Sequence, residues 1–336
     1  MKSKYILVTG GAGYIGSHTV ISLINEGYIP VIVDDFRNSK LDVIDRLSKI
    51  ANQAILNENF PIQDTKKLSD LFMKYNFQGV IHFAADKAVG ESVLDPLKYY
   101  KNNIGGLISL LEVMKNWEHL KFVFSSSCTV YGKPETIPVT EDSPLKIPES
   151  PYGYTKLVNE QMIRQFHLTH PTWNVAILRY FNPIGAHSSG LIGEEPQGIP
   201  NNLLPYITQT ANGKRSHLTV HGDDYQTKDG SCVRDYIHVM DLADAHVQSI
   251  RYLESKSGTV ETFNLGTGQG TTVLEMIQYF NDISGIDLPF QIGPRRSGDV
   301  SEIFSNTKKA EQLLGWKAKF SVRDAIRDAW NYEKLN

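Results

Sequence analysis

The chain reads as an α/β protein: a Rossmann-type, doubly wound parallel sheet with a smaller, mixed C-terminal lobe. Three observations predict this. Short apolar runs alternate with longer amphipathic segments over the first 180 residues, the rhythm of repeated βαβ units. A glycine-rich turn directly follows the first apolar run and opens a periodic segment. After residue 181 the texture turns to loop rich in Gly, Pro, Ser and Asn, and then to mixed segments. The expected organisation is a dinucleotide-type domain over 1–180, joined by segments near 236–268, and a second domain over 181–336.

The strand candidates are 5–9, 29–34, 80–84, 122–126 and 175–180, with a weaker one at 54–56. Their nearly continuous apolar character suits strands buried on both faces. Between them, 14–26, 65–75, 97–117 and 152–167 carry helical periodicity and are long enough to be crossover helices. Further strands are expected at 218–221 and 262–265. The segments 236–239 and 262–265 are placed to return to the main sheet. No internal repeat or low-complexity tail interrupts the pattern.

Composition excludes several classes. The net charge of −3 offers no basic field, so no nucleic-acid partner is expected. The two cysteines, Cys128 and Cys232, lack metal-ligand spacing and make no disulfide framework, which points to no metal and a reducing, cytoplasmic compartment. No apolar run approaches the length of a membrane span. Met1-Lys2-Ser3-Lys4 and the apolar 5–8 mimic a signal peptide, but the run stops at Thr9-Gly10-Gly11, so a buried first strand is the better reading.

Gly10, Gly13 and Gly16 fall in a strand–loop–helix context. Glycines let the backbone turn sharply and approach a pyrophosphate, and the helix N-terminus that follows, with Tyr14 and Ile15, offers N–H groups to the anion. Asp34 ends the second strand candidate, where a carboxylate binds ribose hydroxyls and repels a 2′-phosphate, favouring NAD over NADP. Arg37 nearby offers the opposite possibility, a partner for that phosphate.

Tyr152 and Lys156 stand four residues apart and share a helix face. A phenol is a poor base at neutral pH, and a nearby ammonium is expected to lower its pKa. Tyr154 points to another face and is read as structural or substrate-edge. Ser125, Ser126 and Ser127 follow a strand at the end where doubly wound folds place ligands. Ser127 can bind a substrate hydroxyl and the tyrosine, whereas Ser125 is read as strand-end capping. Cys128 has no paired base to make it a nucleophile.

Together these residues resemble the extended short-chain dehydrogenase/reductase family. Further stretches are similar to the UDP-glucose 4-epimerases within it: Gly10 to His18, His82 to Ser92, Ser125 to Gly132, Arg179 to Pro183, Pro200 to Leu203 and Val233 to Asp241. The resemblance runs over nearly the whole chain. It implies interconversion of UDP-galactose and UDP-glucose through a 4-keto intermediate and transient NADH, with a homodimer formed through helices of the main lobe. It implies that Ser127, Tyr152 and Lys156 form the catalytic group. Asn38, Ser39, Phe83, Ala84, Lys87, Asn102 and Tyr180 match NAD-contacting positions. Asn182, Asn202, Leu203, Arg234, Tyr236, Arg296 and Asp299 match positions around the UDP-sugar, with Lys87 also near it and Arg234 and Arg296 suited to clamp a diphosphate.

Two departures stand out. The adenine-pocket stretch reads Pro61-Ile62-Gln63-Asp64, which leaves Gln63 and Asp64 both open as the contact. Ile303 stands where the family's bulky tyrosine is associated with excluding N-acetylated sugars, so a UDP-N-acetylglucosamine or dual-specificity 4-epimerase is the alternative. A 4,6-dehydratase would want an acid pair after Ser127, where Cys128 and Thr129 stand. The different-class rival is a non-catalytic NAD-binding sensor on the same fold.

Overall fold

The computed structural model describes residues 4–296 and 300–336. Its central sheet contains β1 (Tyr5–Thr9), β2 (Ile29–Asp34), β3 (Leu56–Asn59), β4 (Phe77–His82), β5 (Lys121–Ser127) and β6 (Asn174–Tyr180). The short strands β7 (Asn182–Ile184), β8 (Leu218–His221), β9 (Val233–Arg234) and β10 (Tyr236–His238) precede β11 (Val260–Leu265), which returns to the main sheet. Three more short strands follow, β12 (Thr271–Thr272), β13 (Phe290–Gly293) and β14 (Glu302–Ile303). The seven main strands are parallel in the order β11-β6-β5-β4-β1-β2-β3, so the winding reverses between β1 and β4. Such a reversal opens a crevice at the carboxyl ends of the strands, the usual ligand position in doubly wound folds.

Both faces of the sheet are buried, which is why its strands read as unbroken apolar runs. Ile6, Val8, Ile32, Ile81 and Val123 face one core, shared with helices Tyr14–Asn25 and Val239–Glu254. Leu7, Val31, Val80, Phe122 and Phe124 face the other, shared with helices Thr65–Lys74, Gly105–Met114 and Pro151–Thr169. A third core, including Leu204, Ile207, Tyr236, Phe280 and Ile326, belongs to the later part of the chain.

Several boundaries differ from the sequence reading for physical reasons. The edge strand β3 carries the polar residues Asn57, Glu58 and Asn59, so its apolar signal is faint and displaced. The segment 236–238 does not join the main sheet: β10 pairs in parallel with β7 instead. The helix expected over 97–117 is broken into Pro96–Tyr99, a π-helical turn at Tyr100–Ile104, and Gly105–Met114. π-turns concentrate at functional sites. This one sends Asn102 to the crevice and Asn103 inward, where its side chain holds both the N–H (2.8 Å) and the carbonyl (2.9 Å) of Asp86. No helix among the described residues is long and apolar enough to cross a membrane.

Candidate active site

The crevice at the β1/β4 reversal is a cavity of about 560 Å³. Every residue of the expected cofactor set lines it. From the β1 turn and the helix after it come Gly10, Gly13, Tyr14, Ile15 and Gly16. The β2 end supplies Asp34, Asn38 and Ser39. Phe83, Ala84, Lys87 and Asn102 line the middle, and Tyr152, Lys156 and Tyr180 the far end.

The glycines have separate reasons. Gly10 sits at φ +71°, and a Cβ there would meet the Ala84 backbone nitrogen at 2.6 Å. A Cβ on Gly16 would meet the Gly10 carbonyl oxygen at 2.3 Å. Gly13 faces the cavity and would meet only that oxygen, at 3.3 Å, so its missing Cβ leaves open room for a ligand. The helix that starts at Tyr14 has no side-chain cap, so its leading N–H groups are available to an anion. Size, open glycine face and uncapped N-terminus fit a dinucleotide pyrophosphate.

Asp34 is held by three donors: Ala12 N–H at 3.0 Å, Phe36 N–H at 2.9 Å and the Ser39 hydroxyl at 3.2 Å. Burial raises its pKa despite those bonds. Arg37 pairs with Asp35 and donates to Asn102 Oδ1 at 3.1 Å, so its guanidinium is already engaged. The two residues left open as the adenine contact differ in position. Gln63 lines the cavity and donates to Asn102 Oδ1 at 3.1 Å, whereas Asp64 caps the helix Thr65–Lys74 and does not line it.

The catalytic candidates meet where β5 ends. Ser150 caps the helix Pro151–Thr169, which carries Tyr152 and Lys156. Lys156 is 3% exposed and donates to the Ser125 carbonyl at 2.7 Å, with its ammonium nitrogen 5.9 Å from the Tyr152 ring centre. The expected direction of the phenol pKa is not what the site holds. Burial pushes Tyr152 up to about 12, and the nearby Ser127 hydroxyl only partly opposes this. The same burial brings Lys156 down to about 7, with Glu160 one turn further along pulling the other way. Desolvation outweighs the pairwise attraction. Ser127 is buried and does not itself line the cavity. Cys128 is pushed up to about 12 by burial, which leaves it an inert thiol. Tyr154 faces outward beside Tyr100. Ser125, read as a strand cap, lines the cavity near Tyr180.

Of the expected sugar-nucleotide residues, Lys87 and Tyr152 line the cavity, whereas Asn182, Asn202, Leu203, Arg234, Tyr236 and Ile303 do not and lie on or beside later elements. Asn182 opens β7, Asn202 precedes the helix Leu203–Ala211 that Leu203 begins, and Tyr236 lies on β10. Arg234 on β9 stands opposite Ile303 on the parallel strand β14. Between Arg234 and Tyr236, the carboxylate of Asp235 accepts bonds from Thr267, Gly268 and Ser305, which fixes the backbone that presents both. Arg296 is described outside any strand or helix. Asp299 lies outside the described residues.

The sequence reading missed a residue that ties Lys87 to Asn202. Glu194 lines the cavity, with its side chain 9% exposed, and accepts from Lys87 at 2.8 Å and Asn202 at 2.6 Å. Its neighbour Glu195 pairs with Lys40. The two carboxylates tether loop 193–202, most of which lines the cavity, to Lys87 and Lys40. Adjacent glutamates in a polar loop give no periodic signal, so only their tertiary partners reveal this.

The sheet order, the glycine turn and the Ser127–Tyr152–Lys156 cluster define an extended short-chain dehydrogenase/reductase. A family model described as GDP-mannose 4,6 dehydratase matches residues 7–329. The chain is 52% identical over 98% of its length to a UDP-glucose 4-epimerase of Dictyostelium discoideum, of which 96% is covered. It is 49% identical to a bifunctional UDP-glucose 4-epimerase and UDP-xylose 4-epimerase of Pisum sativum, with 99% of this chain and 97% of that protein covered. The crystal structure of UDP-glucose 4-epimerase from Bifidobacterium longum in complex with NAD+ and UDP superposes with a TM-score of 0.95 at 44% identity, covering 99% of both chains. The chain belongs to the UDP-glucose 4-epimerase family.

Proposed function

We propose that the protein is a UDP-glucose 4-epimerase that keeps NAD bound and interconverts UDP-galactose and UDP-glucose. The observation that carries this is the Ser127–Tyr152–Lys156 cluster at the end of the dinucleotide-sized cavity, with no acid pair following Ser127 in the sequence. A dehydratase needs an acid to expel water, and Cys128 and Thr129 stand where one would be. Turnover of a UDP-sugar separates the enzyme from a non-catalytic NAD sensor.

When bound, NAD supplies a reversible two-electron acceptor and a fixed positive charge beside Tyr152. The glycine turn and the helix N-terminus at Tyr14 hold its pyrophosphate. Asp34 would hold the adenosine ribose hydroxyls, and Gln63 is the residue offered to the adenine. With that fixed positive charge offsetting the burial that raises its pKa, Tyr152 would take the proton of the sugar 4-hydroxyl as phenolate and later return it. The Ser127 hydroxyl donates its one proton to the substrate oxygen and accepts from Tyr152 when that phenol is protonated. Lys156 orients the nicotinamide ribose while anchored to the Ser125 carbonyl. The 4-keto sugar turns about its diphosphate link, presenting its other face, while Arg234, Arg296 and Asn202 grip the UDP. Because oxidation and reduction occur on one bound sugar, no cofactor exchange is needed.

The finer assignments belong to the same reading. Residues 1–180 with β11 form the NAD-binding domain, and most of 181–336 forms the UDP-sugar domain. Val93 and Leu94 on the helix Val89–Leu94, Leu97 and Ile108 on the helices flanking the π-turn, and Tyr154 on the helix Pro151–Thr169 are exposed apolar side chains. They supply the face of a homodimer, which light scattering on purified protein tests. The reducing compartment expected from its free thiols is the cytoplasm. Ile303 is packed among Val130, Tyr131, Val139, Leu157 and Phe181. Isoleucine there leaves N-acetylated UDP-sugars as a second substrate class.

The test is chromatography of UDP-glucose incubated with the protein. Appearance of UDP-galactose supports the reading. Unchanged substrate, with or without added NAD, overturns it.

A further inference from the structure

Two phenols, not one, stand at the Lys156 end of the cavity. Tyr152 comes from the helix Pro151–Thr169 and Tyr180 from the end of β6, where it stands in register with Ser127 on β5. Nothing in the proton transfer assigned to Tyr152 explains why the second phenol does not compete for that role. The answer lies behind the cavity wall, on a helix from the later part of the chain.

His246 lies in the helix Val239–Glu254 and is fully buried. Its ring sits 4.7 Å from Phe83 and 5.3 Å from Tyr180, centre to centre, so it backs two aromatic residues that line the cavity. Its two nitrogens have different partners. Nδ1 lies 2.8 Å from the Leu242 carbonyl oxygen, and Nε2 lies 2.5 Å from the Tyr180 hydroxyl. A carbonyl only accepts, so Nδ1 carries the hydrogen. In the neutral ring Nε2 is then bare and must accept, and the Tyr180 hydroxyl must donate to it. The ring is neutral because burial brings its pKa down to about 4.

We infer that His246 is a positioning residue of this site: its bare Nε2 commits the Tyr180 proton, holding that phenol against the cavity wall and leaving Tyr152 as the phenol whose proton moves. The inference rests on reading the cavity as the NAD site. Burial also holds the Tyr180 pKa well above the ordinary tyrosine value, in keeping with a committed proton. Without its acceptor, the Tyr180 hydroxyl is free to rotate toward Ser125 and Tyr152, and the ring loses the bond that fixes it. Misplacement at the reacting end lowers kcat, whereas UDP recognition, on other strands, leaves KM unchanged.

The test is a double-mutant cycle with His246→Phe and Tyr180→Phe. Each single variant is expected to lower kcat about tenfold, the cost of one buried hydrogen bond, with KM little changed. The double variant should be no slower than either single one, because both remove the same bond. His246→Gln, which restores an acceptor, should recover part of the loss. Independently of turnover, NMR of isotope-labelled histidine should find a neutral ring protonated on Nδ1, with an Nε2 signal that shifts in Tyr180→Phe. Multiplicative losses in the double variant, or a ring protonated on Nε2, overturn the inference. Wild-type turnover with multiplicative losses would do so while leaving the epimerase reading intact. If the wild type converts no UDP-sugar, the epimerase reading fails and the NMR result alone decides the hydrogen bond. Should His246→Phe fail to fold, Tyr180→Phe and His246→Gln with the NMR measurement carry the same decision.

Discussion

Replacing Arg179 by methionine removes the cation from the most deeply buried ion pair among the described residues. The Arg179 and Glu160 side chains are 3% and 1% exposed. Glu160 accepts from Arg179 Nε at 3.0 Å and Nη2 at 2.7 Å, and from the Ser126 hydroxyl at 2.5 Å. The substitution leaves the carboxylate with the serine alone and takes Nη1 from the Tyr131 hydroxyl (2.9 Å). An uncompensated buried charge costs about 3–5 kcal/mol. With an unfolding entropy of about 2.1 cal/mol/K per residue, the 336-residue chain has about 0.7 kcal/mol/K, so the midpoint should fall by about 6 °C. Scanning calorimetry at neutral pH reads this. Adding Glu160→Gln removes the stranded charge and should recover roughly half of the loss, since neighbours in one network are not additive. A single variant within about 1 °C of wild type, or a double variant lower than the single, refutes the reasoning.

Tyr152→Phe deletes the proton acceptor and should lower kcat by on the order of a thousandfold, while the NAD released on denaturing the protein stays at the wild-type amount; retained turnover would place the base elsewhere. His18, His82 and His246 are lowered from 6.5 to about 3, 3 and 4 by burial, so below pH 6.5 the unfolded chain binds protons that the folded chain refuses. Stability is therefore fully present above pH 6.5 and is lost as pH falls toward those values, which urea midpoints from pH 7 to pH 5 should follow downward. Ile303→Tyr adds a ring and a hydroxyl at the wall opposite Arg234, and should reduce kcat/KM for UDP-N-acetylglucosamine relative to UDP-glucose by about tenfold or more; an unchanged ratio removes Ile303 from the specificity wall.

The parts of the site readable from sequence are those set by local rules. An apolar run followed by Gly10, Gly13 and Gly16 specifies a strand, a tight turn and a helix start, because no other residue fits where a Cβ would strike Ala84 or Gly10. Four-residue spacing puts Tyr152 and Lys156 on one face whatever surrounds the helix. The unread parts are non-local. Whether Tyr152 is pushed up or down depends on how much water reaches it, and only packing decides that. His246 lies 66 positions from Tyr180, and Glu194 lies 107 from Lys87. No pattern along the chain announces either meeting. The π-turn at Tyr100–Ile104 hides inside what reads as one helix, because the extra residue per turn leaves the composition helical. Gln63 and Asp64 could be separated only once the helix Thr65–Lys74 claimed Asp64 as its cap.

The central claim is that one bound NAD oxidises and then reduces C4 of the same sugar. UDP-glucose carrying deuterium at C4 tests it most directly, mixed with the purified protein and no added NAD. The account predicts UDP-galactose that keeps its deuterium at C4, with none lost to water. Product with the label washed out into solvent, or no product until NAD is supplied, would contradict it.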